Sequence, residues 1–369
     1  MTRVLLVDDS SLGRRFIKRI LGNIAGVEVV GEASDPYAAR ELIVDLQPDV
    51  LVLDVEMPRM DGISFLERIM RYSPLPVIIC SSITVAGGDT ALRALAAGAV
   101  AVVRKPCESY PPAEMGRDLT QAVAQAAAVT RLGEMPNAAH SISPLGRPSL
   151  AVRATLRPGF EAAEQKDVKV VAIGASTGGT VAVETIVSAL PADFPAVIVV
   201  QHLPPYIVPA FASRLDQSSH ARVAVAEEGS VLEAGKVLVA PGDAHLLVER
   251  TGTLLRVRLW RGEKINGHRP AVDAMFHSLA EAAPANVVGV LLTGMGRDGA
   301  QGLAALRNAG ARTVVQDEAS SIVWGMPKAA IDLGAAQEVV PLALMARRLM
   351  QLGQRRALRT QRPPGALKN

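Results

Sequence analysis

Short apolar runs that stop on a polar side chain, each followed by a helix-like stretch, restrict this chain to parallel α/β architecture. Val4-Leu5-Leu6-Val7 stops at Asp8-Asp9. Val50–Leu53 runs into Asp54, Val77–Cys80 into Ser81, and Val100–Val103 into Arg104-Lys105. The runs are continuous rather than alternating, as expected of strands buried on both faces. Val27–Glu32 supplies a fifth strand. Ser10 or Ser11 can cap a helix carrying Leu12, Phe16, Ile17, Ile20 and Leu21 on one face, a second helix starts at Pro36, and a helix over Ala113–Val129 closes the unit.

These five βα units fill residues 1–132. Residues 133–166 then interleave Pro136, Pro144, Pro148 and Pro158 with Gly133, Gly146, Gly159 and serines, so they read as a linker. A second α/β region occupies 167–350, and 351–369 reads as a disordered basic tail. With 369 residues, 49% of them hydrophobic, each region can bury its own core. Aromatic residues make up only 3%, so the cores rest on Val, Leu, Ile, Ala and Met.

From Ala346 to Asn369 there are seven basic residues and no acidic one; setting those aside turns the chain's +3 into −4 for the rest. The body therefore lacks a basic nucleic-acid surface, and no helix-turn-helix follows the linker. No signal-peptide pattern opens the chain, and no stretch reaches the roughly 20 apolar residues of a membrane span. The two cysteines, Cys80 and Cys107, form no disulfide framework, so a cytoplasmic location is expected.

Asp8, Asp9 and Asp54 each fall at the carboxyl end of an expected strand, the edge where open α/β sheets bind ligands. Carboxylates gathered there repel unless a cation intervenes, and hard oxygen donors favour Mg²⁺. Asp9 and Asp54 would coordinate it directly and Asp8 through water. Asp54 is then placed as a nucleophile toward an activated phosphoryl group, Ser81 can donate a hydrogen bond to the acyl phosphate, and Lys105 supplies positive charge. A cis Lys105–Pro106 peptide would help to aim that amine. Val7-Asp8-Asp9-Ser10, Leu53–Gly62 and Lys105-Pro106 resemble the receiver domain of two-component response regulators. The resemblance implies a flavodoxin-like, five-stranded parallel fold and Mg²⁺-dependent phosphorylation of Asp54 by a histidine kinase. Val102 stands where many receivers carry a Tyr or Phe switch residue, so signalling through an aromatic rotamer is not expected.

The second region opens on Val168–Ile173, then Gly174-Ala175-Ser176-Thr177-Gly178-Gly179. Gly-x-Ser-x-Gly between a strand and a helix is the spacing of a nucleophile elbow, although the same glycines could cradle a phosphate at a helix N-terminus. Two further strand ends favour the first reading. Ala196–Val200 ends on Gln201-His202, where a general base for Ser176 is needed. Val287–Leu292 leads to Thr293-Gly294-Met295-Gly296-Arg297-Asp298-Gly299, where Asp298 could hold the histidine tautomer or merely cap the next helix. The amide of Met295 or Gly296, with the amide after Ser176, is a candidate oxyanion hole. The order Ser, His, Asp differs from that of common α/β-hydrolases, so the fold is expected to be another, doubly wound and mainly parallel.

Those segments resemble the chemotaxis protein-glutamate methylesterase family, as do Ala240–His245, Pro270–Asp273, Gln316–Ser321 and Trp324–Ala330. The resemblance implies Ser176 as nucleophile, His202 as base and Asp298 as third member, with Thr177 supporting the histidine by a hydrogen bond. It implies an esterase without a cofactor of its own, acting on chemoreceptor cytoplasmic helices as methylesterase and glutaminase. Leu203, Ile207 and Val208 depart from the family pattern in a segment expected to line the substrate approach, and Trp324 replaces a commoner Tyr or Phe. His245 is expected to be structural, and His268 and Arg269 to lie in a solvated loop, with contact to an acidic substrate surface as the alternative.

Overall fold

The structure is a computed structural model that describes residues 1–82, 87–107, 110–131 and 169–353. The expected linker and the tail beyond Gly353 lie outside the described residues. The first region runs β1 (Thr2–Val7), α1 (Ser11–Gly22), β2 (Val27–Ala33), α2 (Pro36–Leu46), β3 (Val50–Asp54), α3 (Gly62–Tyr72), β4 (Val77–Ser81), α4 (Gly87–Ala96), β5 (Ala101–Arg104) and α5 (Pro112–Arg131). Its strands form one parallel sheet in the order β2-β1-β3-β4-β5, the flavodoxin-like arrangement expected. Every residue of β3 and β4 is buried, as their unbroken apolar runs require.

Local chemistry sets the helix starts. Ser10, rather than Ser11, caps α1 by accepting from the Gly13 N–H. Asp35 and Asp61 cap α2 and α3 in the same way. The apolar face of α1 is narrower than the sequence suggested: Ile17 and Leu21 are buried, but Leu12 is 70% exposed. At 3.6 residues per turn Leu12 lies about 160° around the helix from the midpoint of Ile17 and Leu21, on the solvent side.

The second region runs β6 (Val170–Ala175), α6 (Gly179–Val187), β7 (Ala196–Gln201), α7 (Val208–Ser218), β8 (Arg222–Val225), β9 (Lys236–Val239), β10 (His245–Thr251), β11 (Leu254–Trp260), α8 (Val272–Ala282), β12 (Val287–Leu291), α9 (Ala300–Asn308), β13 (Arg312–Gln316), α10 (Met326–Asp332), β14 (Glu338–Val340) and α11 (Leu342–Gly353). Seven strands form a parallel sheet in the order β14-β13-β12-β6-β7-β9-β8, and β10 and β11 form a separate antiparallel pair. Helices cover both faces: Ile186, Phe211 and Met345 of α6, α7 and α11 pack in one core, and Phe276, Leu303 and Met326 of α8, α9 and α10 in the other. The last helix extends to Gly353, so the segment expected to fray from 351 begins as helix, and Arg348 within it pairs with Glu338.

The two regions touch. Arg104 at the end of β5 lies over the ring of Tyr206 in the second region, 5.7 Å from its centroid. Helix α4 packs on α7, so closely at one point that a Cβ on Gly88 would lie 2.7 Å from that of Ala210. Among the described residues no helix is long and apolar enough to cross a membrane. The one cis peptide among them is Arg269–Pro270, not Lys105–Pro106.

Gly62 starts α3 directly against the end of β3, where a Cβ would fall 2.0 Å from the Asp54 carbonyl oxygen. Backbone cannot give way as a flexible side chain does. Gly62→Ala is therefore expected to destabilise the first region by roughly 1–3 kcal/mol, read as a lowered thermal unfolding transition.

Candidate active site

In a parallel sheet all carboxyl ends share one edge, and β12, β6 and β7 are immediate neighbours. Ser176 follows β6, His202 follows β7, and Asp298 stands in the loop between β12 and α9. The chain reverses direction around β6, because β7 lies to one side and β12 to the other. That switch point opens the crevice in which ligands bind in such sheets. Ser176, His202 and His268 line a cleft of about 600 Å³ there, together with first-region residues that include Val102, Arg104 and Asp118.

The elbow is built by close approach. Ser176 is 6% exposed, and its N–H donates to the Thr293 carbonyl at 3.0 Å. Gly178 turns the chain with φ +77°, and a Cβ on Gly179 would fall 2.1 Å from Gln201 Oε1. Gly294 comes so near the serine that its own Cβ would lie 2.7 Å from that of Ser176. The loop bearing Met295 and Gly296 is thereby held against Ser176. Among the described residues the N–H groups of Thr177, Met295 and Gly296 make no hydrogen bond within the protein.

His202 Nε2 lies 2.9 Å from Asp298 Oδ2, while its Nδ1 is buried with no hydrogen-bond partner in the structure. With Nε2–H donated to the carboxylate, Nδ1 is the nitrogen left free to accept a proton, and among the described residues no hydrogen bond joins it to Ser176. This reverses the ring orientation described for the chymotrypsin triad, in which Nε2 meets the serine. The hydrogen bond expected from Thr177 to His202 does not form among the described residues. Thr177 instead offers its carbonyl to Thr293 Oγ1 at 2.9 Å, which ties the elbow to the β12 loop.

Asp298 does not cap its own helix. Gly299 stands at the α9 N-cap without a side-chain bond, and the Asp298 carboxylate serves the N-terminus of α8. Its Oδ2 accepts from Val272 N–H at 2.7 Å, and its Oδ1 from Asp273 N–H at 3.2 Å and Asn266 Nδ2 at 2.9 Å. Burial alone would raise its pKa, but the bonds from His202, Asn266 and Val272 prevail and hold it at about 2. Asn266 also donates to Asp273 Oδ2 at 2.7 Å, and burial raises the Asp273 pKa above the ordinary carboxylate value.

Several contributors escape sequence reasoning. Gln201 is 2% exposed and donates to the Ser176 carbonyl at 2.8 Å, linking the ends of β6 and β7. Asn266 sits in an Asn-Gly turn, a signal that identifies a bend but not its target. His268 is not in a solvated loop: it is half-buried and stacks on His202. His245 is fully buried, accepts from Ala271 N–H at Nδ1 and donates from Nε2 to the Glu263 carbonyl, a structural tie as expected. Leu203 and Ile207 line the cleft, whereas Val208 is buried at the start of α7.

At the carboxyl edge of the first sheet Asp8, Asp9 and Asp54 bring carboxylate oxygens within 4.8 Å of one another. Asp8 and Asp54 are buried and Asp9 is exposed. Lys105 Nζ lies 2.7 Å from Oδ2 of both Asp8 and Asp54. Burial raises the Asp54 pKa against the opposing pull of Lys105. Burial also works against the Lys105 ammonium, yet its bonds to Asp54 and Asp8 keep its pKa above the ordinary lysine value. Three carboxylates against one ammonium leave two negative charges and an oxygen-only donor set, which fits a small divalent cation. Ser81, 5% exposed, ends β4 beside them.

The fold and the two strand-edge sites define a phosphoacceptor receiver joined to an α/β hydrolase. Residues 4–111 match the response regulator receiver domain, and residues 171–349 match the family described as CheB methylesterase. A protein-glutamate methylesterase/protein-glutamine glutaminase of Anaeromyxobacter dehalogenans (strain 2CP-C) is 50% identical over 350 residues, 95% of this chain and 94% of that protein. A relative of the same name from Sulfurimonas denitrificans is 45% identical over 343 residues, 92% of this chain and 95% of that one. The solved catalytic domain of Thermotoga maritima CheB methylesterase is 37% identical, with a TM-score of 0.50 over 51% of this chain and all of that domain. The chain belongs to the CheB methylesterase family.

The Asp298 pKa lies below the ordinary 3.8, so its ionised form contributes stability that is fully present above pH 3.8 and is lost as pH falls through about 2. Asp298→Asn is expected to remove about 2 kcal/mol of that acid-side dependence, measured as a flatter stability curve for the second region between those pH values. Activity should fall on the order of 10⁴-fold, as when a triad aspartate elsewhere becomes asparagine.

Proposed function

We propose that this protein removes methyl groups from glutamate methyl esters on chemoreceptor cytoplasmic helices, and deamidates receptor glutamines, under control of receiver phosphorylation. The observation that carries the reading is that Ser176 and His202 line one cleft at neighbouring strand ends while His202 is bonded behind it to the buried Asp298. The names of the Anaeromyxobacter and Sulfurimonas relatives support the substrate class.

In this reading residues 1–132 are the receiver, 133–166 the linker, 167–350 the catalytic domain and 351–369 a basic tail. Ser176 attacks the γ-carbonyl carbon as His202 Nδ1 takes its proton. Asp298 holds Nε2–H and balances the imidazolium. The tetrahedral oxyanion is stabilised by backbone N–H groups of Thr177 with Met295 or Gly296. The imidazolium returns its proton to the leaving methoxide, methanol departs, and water then hydrolyses the acyl-enzyme to restore glutamate and free Ser176. With glutamine the leaving group is ammonia, and the same residues serve. No cofactor enters this chemistry.

Asp54 is the phosphoacceptor, and a histidine kinase supplies the phosphoryl group in the cytoplasm. Asp9 and Asp54 would hold Mg²⁺, with Asp8 reaching it through water, and the bound ion would supply charge neutralisation for the phosphoryl oxygens. Ser81 and Lys105 would then bind the acyl phosphate. Control is supported by the cleft itself, since Val102, Arg104 and Asp118 of the first region line it together with Ser176. Phosphorylation would shift the population toward an open arrangement.

Ser176→Ala should abolish methanol release from methyl-labelled receptor membranes and labelling by a fluorophosphonate; retained release would defeat the assignment. Asp54→Ala should keep basal release but lose the increase that a small phosphodonor with Mg²⁺ produces in the parent protein. An undiminished response in that variant would refute Asp54 as the control point.

A further inference from the structure

We propose that His268 is a positioning residue for the base: its ring lies flat on the His202 imidazole and fixes the plane in which Nε2 meets Asp298 and Nδ1 faces the nucleophile. The inference rests on the reading of His202 as the base. The two rings stack with centroids 3.8 Å apart and planes 7° from parallel. Among the described residues the His202 ring makes one hydrogen bond, from Nε2 to Asp298. A ring tied at Cβ and at one nitrogen can still rock about the line joining those points. A flat neighbour at van der Waals distance removes that freedom.

The chain that brings His268 there also grips the acid. Ile265 and His268 close a tight turn by exchanging two backbone hydrogen bonds, His268 N–H to the Ile265 carbonyl at 2.9 Å and Ile265 N–H to the His268 carbonyl at 3.0 Å. Inside it Asn266 and Gly267 take φ +53° and +81°, left-handed values that Asn and Gly tolerate best. The turn directs the Asn266 amide to Asp298 and Asp273, and the His268 ring to His202. One four-residue turn therefore touches both members of the base–acid pair, the carboxylate by hydrogen bond and the imidazole by its face.

The charge state suits that role. Burial, then the neighbouring His202, lower the His268 pKa to about 4; Lys264 acts the same way and Asp298 opposes. At neutral pH His268 is thus an uncharged ring. A cation in its place would oppose the imidazolium that forms on His202 when Ser176 gives up its proton, whereas a neutral π-face does not. A solvated loop residue would show neither the parallel stacking nor the lowered pKa.

The test compares the full-length chain with His268→Ala, His268→Phe and His202→Ala, using kcat and KM for methanol release from methyl-labelled receptor membranes. His268→Ala should lower kcat on the order of 10- to 100-fold, the range that misplacement of a reacting group by about 1 Å produces, with KM changed less than about 2-fold. His268→Phe keeps a flat ring and no titrating nitrogen, and should recover kcat to within about 3-fold of the parent. Thermal unfolding of each variant checks that a loss is not one of folding, and the Phe variant keeps the test open should the Ala variant fold poorly. A loss confined to KM, an unchanged kcat in His268→Ala, or a Phe variant as impaired as the Ala variant would each overturn the proposal. His202→Ala separates the two claims: its retained activity would refute the base reading itself, whereas an inactive His202→Ala beside a fully active His268→Ala would refute the positioning role alone.

Discussion

A carboxylate buried to 1% exposure is the constraint on which the catalytic half depends. An ionised group removed from water must find its partners within the protein or give up its charge. Asp298 finds four: two backbone N–H groups at the start of α8, the Asn266 amide and the His202 ring. The partners come from three separate pieces of chain, so meeting the needs of this one group draws the α8 N-terminus, the 265–268 turn and the end of β7 to the β12 loop. The helix dipole of α8 adds a favourable field at the same point. The site is rigid because its parts share an electrostatic obligation.

The fold was largely legible because its information is local. Continuous apolar runs ending on Asp9, Asp54, Ser176 and His202 announce parallel strands and put reactive groups at one edge without any knowledge of long-range contacts. The β6 boundaries moved by two residues, from Val168–Ile173 to Val170–Ala175. The inventory of the site was legible too, but not its wiring. A sequence places Asp298 before a helix and so suggests that it caps that helix. Only the packing of α8 across the switch point reveals that it serves another. Thr177 was expected to bond to the histidine and instead bonds through its carbonyl to Thr293, a contact spanning 116 positions in the chain. Asn266 and His268 look like ordinary turn residues because their partners lie beyond any local window.

The first half shows the same division. Asp8, Asp9, Asp54, Ser81 and Lys105 could be identified one by one from strand ends, and the structure gathers them. What the sequence flagged as missing, an aromatic at Val102, finds a counterpart across the junction. Val102 is buried at the cleft, and the aromatic ring beside neighbouring Arg104 is Tyr206, contributed by the other half of the molecule. Arg104 also lies near the ring of Tyr110 in its own half, so it stands between one aromatic from each side of the junction. The junction therefore holds a cation–aromatic contact that joins the two halves.

The orientation of the His202 ring has a consequence for the architecture. Counting along the side chain, Nδ1 is one bond nearer the main chain than Nε2. A base that works through the nearer nitrogen has a short reach, and its proton donor must come to it. In the proposed mechanism the nucleophile stands on the adjoining strand, with the two backbones one strand spacing apart. Gln201, which bonds to the serine's own carbonyl, spans that gap. Inserting a strand between β6 and β7 would separate the reactants beyond the reach of any rotamer, so the neighbour relation of these two strands is as much a part of the catalytic apparatus as the side chains they carry.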